Sequence, residues 1–265
     1  PLRKTPSGMK HPLRTLLLAV CCGLAAACTQ RQERLKLMSY NIRNGIGIDN
    51  IQDIGRIARV ILREAPDLVA LQELDSATLR VDGRYIPGEL GRMTGMHATF
   101  GRAIGFAGGS YGIGLLSRTE PLAVRSIPLP GREEARVLLM AEFPDYTVCI
   151  THLSLTPEDR LASLPIIREA TDTCRKPVLL AGDFNTGNAA AVLAGLGGGF
   201  RILSDTTRMT FPSDNPAVRI DYILGRGLPT SATVAESAVD HTATASDHCP
   251  LWVTLVWKRG KQPGK

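Results

Sequence analysis

The sequence predicts an α/β protein in which two β-sheets pack face to face with helices outside, and three observations carry the prediction. Apolar runs of strand length end in a polar residue or a glycine at residues 35–41, 67–73, 146–152 and 178–182. Helical apolar spacing or helix-start signals fill two of the intervals, after Asn50 and after Thr156. A close succession of strand-like runs occupies residues 97–152. Strand, helix, strand, a run of strands and then the same mixture again is the order of two packed sheets with outer helices.

Residues 35–41 (LKLMSYN) alternate and stop at a glycine-containing loop, which makes them a first strand ending on Asn41. Asn50 is positioned to cap the next segment with Asp53 three residues on, and Ile51, Ile54, Ile57, Ala58, Ile61 and Leu62 recur at helical spacing until Pro66. Residues 67–73 form a second apolar strand, ending on Glu73. Loop and short helix fill residues 75–96, where Arg80, Arg84 and Arg92 give no pattern. Strands at 97–102, 111–118, 122–128, 136–143 and 146–152 are separated by Gly108-Gly109, Glu120-Pro121 and Pro144-Asp145, and read as one antiparallel meander. Thr156 as N-cap, Pro157 at the first helical position and Asp159 in the first turn open a helix to about residue 174. After the strand at 178–182 come a short helix at 189–196 and strands at 219–224, 230–236 and 249–257.

Composition allows a full core: 265 residues with 44% hydrophobic and 21% charged content. The formal charge of +6 is misleading, because Arg3, Lys4, Lys10 and Arg14 precede Cys28 and Lys258, Arg259, Lys261 and Lys265 follow Trp257. Between those ends 23 bases face 25 acids, a net of −2, which argues against a broad basic face for duplex phosphates. From Met9, Lys10 and Arg14 lead into an apolar run at 16–27 and a small-residue stretch at Cys28, the build of a secretory signal too short to span a bilayer. Leu24-Ala25-Ala26-Ala27-Cys28 resembles a bacterial lipoprotein signal with Cys28 as the lipidated residue, departing from it at Ala25; a plain peptidase site is the alternative. The expected division is an upstream remnant at 1–8, a signal peptide at 9–28, a linker at 29–34, a domain at 35–257 and a basic tail at 258–265. Cys149, Cys174 and Cys249 form neither a disulfide framework nor a C-x-x-C site, and Cys149 reads as a buried apolar residue.

Eight polar residues end or follow strands: Asn41, Glu73, His152, Asp183, Asn185, Asp221, Asp247 and His248. On an extended backbone Asp183 and Asn185 point the same way, so a carboxylate and an amide converge on one cleft; an Asx turn is the plain alternative. A set dominated by oxygen ligands with two histidines suits Mg²⁺, with Mn²⁺ as a substitute, better than zinc.

The motifs SYNIRNG at 39–45, LQE at 71–73, Tyr111-Gly112 with LLSR at 115–118, Thr151-His152-Leu153, Gly182-Asp183-Phe184-Asn185, RIDYIL at 219–224 and SDHCPL at 246–251 are ordered as in the endonuclease/exonuclease/phosphatase superfamily, which the chain resembles from about residue 35 to 257. The resemblance implies a DNase I-like four-layer α/β sandwich and Mg²⁺-dependent cleavage of a phosphoester. It implies Glu73 as principal metal ligand with Asn41 and Asp247 beside the same metal, Asp183 orienting or deprotonating the attacking water, and Asn185 holding the phosphate or that water. His248, oriented by Asp221, would contact the non-bridging oxygens, and His152 would add a second phosphate contact. Ile113-Gly114 and Ser163 depart from residues common in close relatives and bear on peripheral substrate contacts. Tyr111 and Arg136 read equally as cleft lining and as edge packing, the latter with a surface pair between Arg136 and Glu134.

The expected protein is an exported monomer, periplasmic, membrane-anchored through Cys28 or secreted, acting on a small or lipid-derived phosphoester. Its rivals are a secreted nuclease on DNA or RNA, disfavoured by the acidic body and the lack of an aromatic stacking run, and a non-catalytic surface-binding protein on the same fold.

Overall fold

The computed structural model describes residues 1–2 and 32–258. The expected signal at 9–28 with Cys28, most of the remnant and linker, and the tail after residue 258 lie outside the described residues. In chain order the elements are β1 (Gln32–Asn41), α1 (Ile54–Glu64), β2 (Leu68–Ser76), α2 (Ile86–Thr94), β3 (His97–Phe106), β4 (Gly109–Ser117), β5 (Ala123–Leu129), β6 (Arg136–Glu142), β7 (Thr147–His152), α3 (Pro157–Asp172), β8 (Val178–Asp183), α4 (Ala189–Leu196), β9 (Arg201–Ile202), β10 (Asp221–Arg226), β11 (Thr233–Val239) and β12 (Leu251–Lys258). Short 3₁₀ turns follow β1 at Arg43–Gly45 and β2 at Leu79–Val81.

Two six-stranded mixed sheets result, ordered β11-β12-β1-β2-β4-β3 and β5-β6-β7-β8-β10-β9. Each is built on one strand-helix-strand unit whose strands are parallel: β1 with β2 through α1, and β7 with β8 through α3. The two-residue side-chain period sorts these strands into layers. Leu35 and Leu37 of β1 and Leu179 and Ala181 of β8 point between the sheets, where they meet Ile113, Leu139, Ile150 and Val253. Met38 and Tyr40 face the other way, onto Ile54, Ile57, Ile61 and Leu90 of α1 and α2. On the second sheet Cys149, Leu180 and Tyr222 face Leu164, Ile167, Val192 and Leu196 of α3 and α4. Helices, sheet, sheet, helices make the expected four-layer sandwich, and Cys149 is the buried apolar residue expected of it. Among the described residues no helix is long and apolar enough to cross a membrane.

The structure corrects several local expectations. The run of strands is not one meander: β3 and β4 form a hairpin in the first sheet, and β5, β6 and β7 form the meander in the second. Glu120-Pro121 therefore marks a crossing between sheets and not a turn within one. Asp53, not Asn50, caps α1, because its carboxylate accepts the Arg56 amide at 3.3 Å. Asn50 instead takes a left-handed turn with φ of 58°. Thr156 stands at the start of α3, yet its hydroxyl donates to Glu133 at 3.1 Å and caps nothing. β1 begins at Gln32, inside the stretch read as linker, because Gln32, Glu33 and Arg34 pair with Lys258, Trp257 and Val256 of β12.

Strand direction decides where the polar residues gather. β1, β2, β7 and β8 run the same way within their pairs and deliver their C-terminal residues to one end, where the antiparallel β10 and β12 begin.

Candidate active site

One row across the second sheet assembles the centre: His152 ends β7, Asp183 ends β8 and Asp221 opens β10, and they stand in register as His152↔Asp183↔Asp221. All three are buried. His248, just before β12, completes the group, with its Nδ1 3.0 Å from Asp221 Oδ2 and its Nε2 3.7 Å from Asp183 Oδ2. His152 Nε2 approaches the same Asp183 oxygen from the other side, at 3.6 Å.

These neighbours set the charges. Burial opposes a positive His248, but the field and hydrogen bond of Asp221, joined by Asp183 and Asp247, override it and push the imidazole up to about 10. Burial, Arg136 and the positive His248 hold His152 well below the ordinary histidine value, so the two imidazoles differ in charge at neutral pH. Burial, then the field of Asp221, raises Asp183, against the pull of His248 and hydrogen bonds from Asn185 and Asn41. A carboxylate lifted toward neutrality is suited to exchange a proton near pH 7.

The first sheet supplies Asn41 and Glu73. β2 carries a bulge against β4, with the register shifting between Leu71 and Leu74, and Glu73 takes φ of 59° there. A left-handed glutamate costs about 1–3 kcal/mol, and the bulge turns a side chain toward the cleft that a regular strand would hold in its own face. Asn41 Nδ2 donates to Glu73 Oε1 at 2.9 Å and to Asp183 Oδ2 at 3.1 Å, joining the two sheets, while its Oδ1 accepts the Arg43 amide at 3.2 Å. Asn41 thus orients two carboxylates. Asp247 lies on the loop before His248 and faces Arg43, whose Nε is 3.5 Å from Asp247 Oδ2.

Asn185 departs from the extended geometry expected of it. β8 stops at Asp183, Asn185 takes φ of 51°, and its amide N–H donates to Asp183 Oδ1 at 2.8 Å. The Asx turn, the plain alternative, is what forms: it fixes Asp183, and Asn185 Nδ2 is tied to the Leu153 carbonyl at 2.8 Å.

Sequence reasoning missed four supports. Arg80 bonds Asp75 at 2.6 Å and Asn44 at 2.8 Å while lying over Phe106 and Tyr111, bracing the loops beside Glu73. Glu133 accepts from Ser154, Leu155, Thr156 and Arg136, which locks the loop after His152. Against its partial burial, those donors hold the Glu133 carboxyl down to about 2. Phe211 packs 4.8 Å from the His248 ring, and Thr210 Oγ1 accepts the Asp221 amide at 3.3 Å. Only the third of these leaves a trace in sequence, as an aromatic beside a proline between two strands. Tyr111 and Arg136, ambiguous in the sequence, line a narrow recess with His152, and Arg136 is buried where it pairs with Glu134 at 3.0 Å. A cavity of about 450 Å³ lies at the opposite end of β7, beside Arg125, Glu142 and Lys176, and contains none of the residues above.

Ligand atoms of Asp183, Asp221 and His248 lie within 4.8 Å of one another and could hold a metal ion. Chemistry argues for a different point of attachment. His248 Nδ1 is already bonded to Asp221, and its positive ring balances that trio. Glu73, aimed inward by its bulge and hydrogen-bonded among the described residues to the neutral amide of Asn41, is the carboxylate whose surroundings fit a divalent cation.

The sequence model of the Endonuclease/Exonuclease/phosphatase family matches residues 38–248. No curated protein sequence matches the chain. Among solved structures, an endonuclease/exonuclease/phosphatase from Beutenbergia cavernae is similar at 24% identity and a TM-score of 0.67, over 85% of this chain and 72% of that one. A mannosyl-6-phosphatase from Bacteroides thetaiotaomicron is 20% identical with a TM-score of 0.67, over 84% of this chain and all of the other. TDP2 from D. rerio, complexed with a single-strand DNA product, is 22% identical with a TM-score of 0.64, over 84% of this chain and 99% of that one.

Proposed function

This chain belongs to the endonuclease/exonuclease/phosphatase family, a family of phosphoester hydrolases, and from that premise we propose that it is a Mg²⁺-dependent phosphoester hydrolase acting outside the cytoplasm. The observation that carries the proposal is the arrangement along the row: His152, Asp183 and Asp221 stand in register, His248 Nδ1 lies 3.0 Å from Asp221 Oδ2, and Glu73 joins them from the other sheet through Asn41.

Each residue has a task in that reaction. Asp183 accepts a proton from the attacking water, held in place by Asn41 and by the Asn185 turn. His248 donates from Nε2 to the phosphoryl oxygens while Asp221 fixes its other nitrogen. Neutral His152 adds a hydrogen-bond donor without a further charge. Glu73 is the primary anchor for the cation, and Asp247 and Asn41 border the same region. When bound, the cation would neutralise charge that builds on the phosphoryl oxygens.

The test is an assay panel of single- and double-stranded DNA, RNA, sphingomyelin, inositol phosphates and bis(p-nitrophenyl) phosphate, each with Mg²⁺ and with chelator. Turnover of a small or lipid-derived ester that chelator abolishes is the expected result. Cleavage of DNA or RNA alone would replace it with a nuclease, and no cleavage of any ester would leave a binding protein on a hydrolase fold.

The small residues before Cys28 support the proposal of a lipid anchor. Expressed with its native leader, the protein is expected to partition into detergent, and Cys28→Ser to release or misprocess it. A wild-type protein wholly in the aqueous phase after export would leave only a plain secretory signal.

A further inference from the structure

The arginines around the site end of the sandwich are not equally engaged. Arg80 has its two short bonds and two aromatic faces. Arg136 is buried between Glu133 and Glu134 at 3.3 and 3.0 Å. Arg219, also buried, donates to the Arg208 carbonyl and to Ser204 Oγ, each at 2.7 Å, and lies over Tyr222. Arg43 differs. Its guanidinium meets the Gly47 carbonyl and Asp247 only at 3.5 Å, at the outer limit of a useful bond, and has no other partner among the described residues. Its side chain is about a third exposed, two residues after Asn41 and beside the residue that precedes His248.

The backbone beneath it is unusual too. Arg43, Asn44 and Gly45 all have positive φ, at 45°, 52° and 76°. Glycine is the residue that tolerates such a position, yet position 43 carries a long cationic side chain. A loosely held guanidinium on a backbone that suits glycine points to a role toward something outside the chain more than to a role in the fold.

We propose that Arg43 binds the substrate phosphate and favours a terminal, doubly charged phosphate over a phosphodiester. The inference rests on the hydrolase reading above and names the ester class it leaves open. A guanidinium fork matches two oxygens of one phosphate, and a monoester offers three unesterified oxygens where a diester offers two. Arg43 reaches Asp247, the residue next to His248, so its fork serves a single phosphoryl group there, whereas a body with net charge −2 supplies no track of cations for a polymer backbone. Asp247, 3.5 Å from Nε, is the anion whose place beside the guanidinium phosphate would take.

The experiment compares wild type with Arg43→Ala, Arg43→Lys and Arg43→Gly in the full chain. Inorganic phosphate binding, measured by calorimetry, is expected to weaken by about tenfold or more in Arg43→Ala and less in Arg43→Lys. On p-nitrophenyl phosphate and bis(p-nitrophenyl) phosphate, Arg43→Ala is expected to lower kcat/KM on the monoester at least about ten times more than on the diester. Arg43→Gly should melt no lower than wild type, since glycine suits the φ at 43. Unchanged phosphate affinity, equal losses on the two esters, or a Tm that falls in Arg43→Gly would each overturn the proposal. If wild type hydrolyses neither ester, the hydrolase reading fails separately, and the phosphate titration still decides the role of Arg43.

Discussion

Glu73→Gln is expected to abolish most turnover, by roughly a thousandfold, and to raise the Mg²⁺ concentration needed for the remainder by about a hundredfold. The substitution keeps the shape of the side chain and its Oε1, so the hydrogen bond from Asn41 Nδ2 survives. What it removes is the negative charge. The three aspartates of the site cannot take that place without loss: Asp221 is bonded to His248, Asp183 is committed to Asn185 and Asn41, and Asp247 faces Arg43. Stability should change little, because the strained φ at position 73 is the same for either residue. Calorimetric titration with Mg²⁺, kcat and Tm measured on the same preparations separate these effects. An unaltered Mg²⁺ titration and rate would sink Glu73 as the metal anchor. A collapse of Tm would instead assign the residue to the architecture of the bulge.

That prediction turns on a feature the sequence does not display. The termini of β1, β7 and β8 are legible because apolar runs end on Asn41, His152 and Asp183, and a polar residue that abruptly closes a buried strand belongs at the rim of the sheet. The bulge at Glu73 is invisible, because a positive φ leaves no mark on side-chain periodicity; β2 continues to Ser76 past the residue at which its apolar run stops. Pairing is hidden for a related reason. Two neighbouring hairpins have the same local pattern whether they share a sheet or face each other across the core, so the division of the 97–152 strands is set by long-range register. Arginines are the least legible of all. Arg80 meets Asn44 across 36 positions, and Arg43 meets Asp247 from the far end of the domain, so neither contact has a local signature.

The strongest coupling in the site is between Asp221 and His248, and both His248→Ala and Asp221→Asn are expected to reduce kcat by about a hundredfold or more with KM nearly unchanged. Burial alone would keep the imidazole neutral; Asp221, 3.0 Å away, is the main reason that it carries charge up to about 10. Because the folded value lies above the unfolded one, the pair's contribution to stability is complete below about 6.5 and is lost as pH rises through about 10. Asp221→Asn removes the attraction and leaves the burial, so the alkaline limb of the kcat profile should move toward neutral pH. His248→Ala should show no such limb. The double variant is expected to lose little beyond the worse single variant, since a proton donor and the carboxylate that charges it act as one unit. Profiles of kcat between about pH 6 and 10 for wild type, both single variants and the double variant decide the matter. Losses that multiply, with an alkaline limb that stays in place in Asp221→Asn, would mean that Asp221 serves the fold of β10 and that His248 takes its charge from elsewhere.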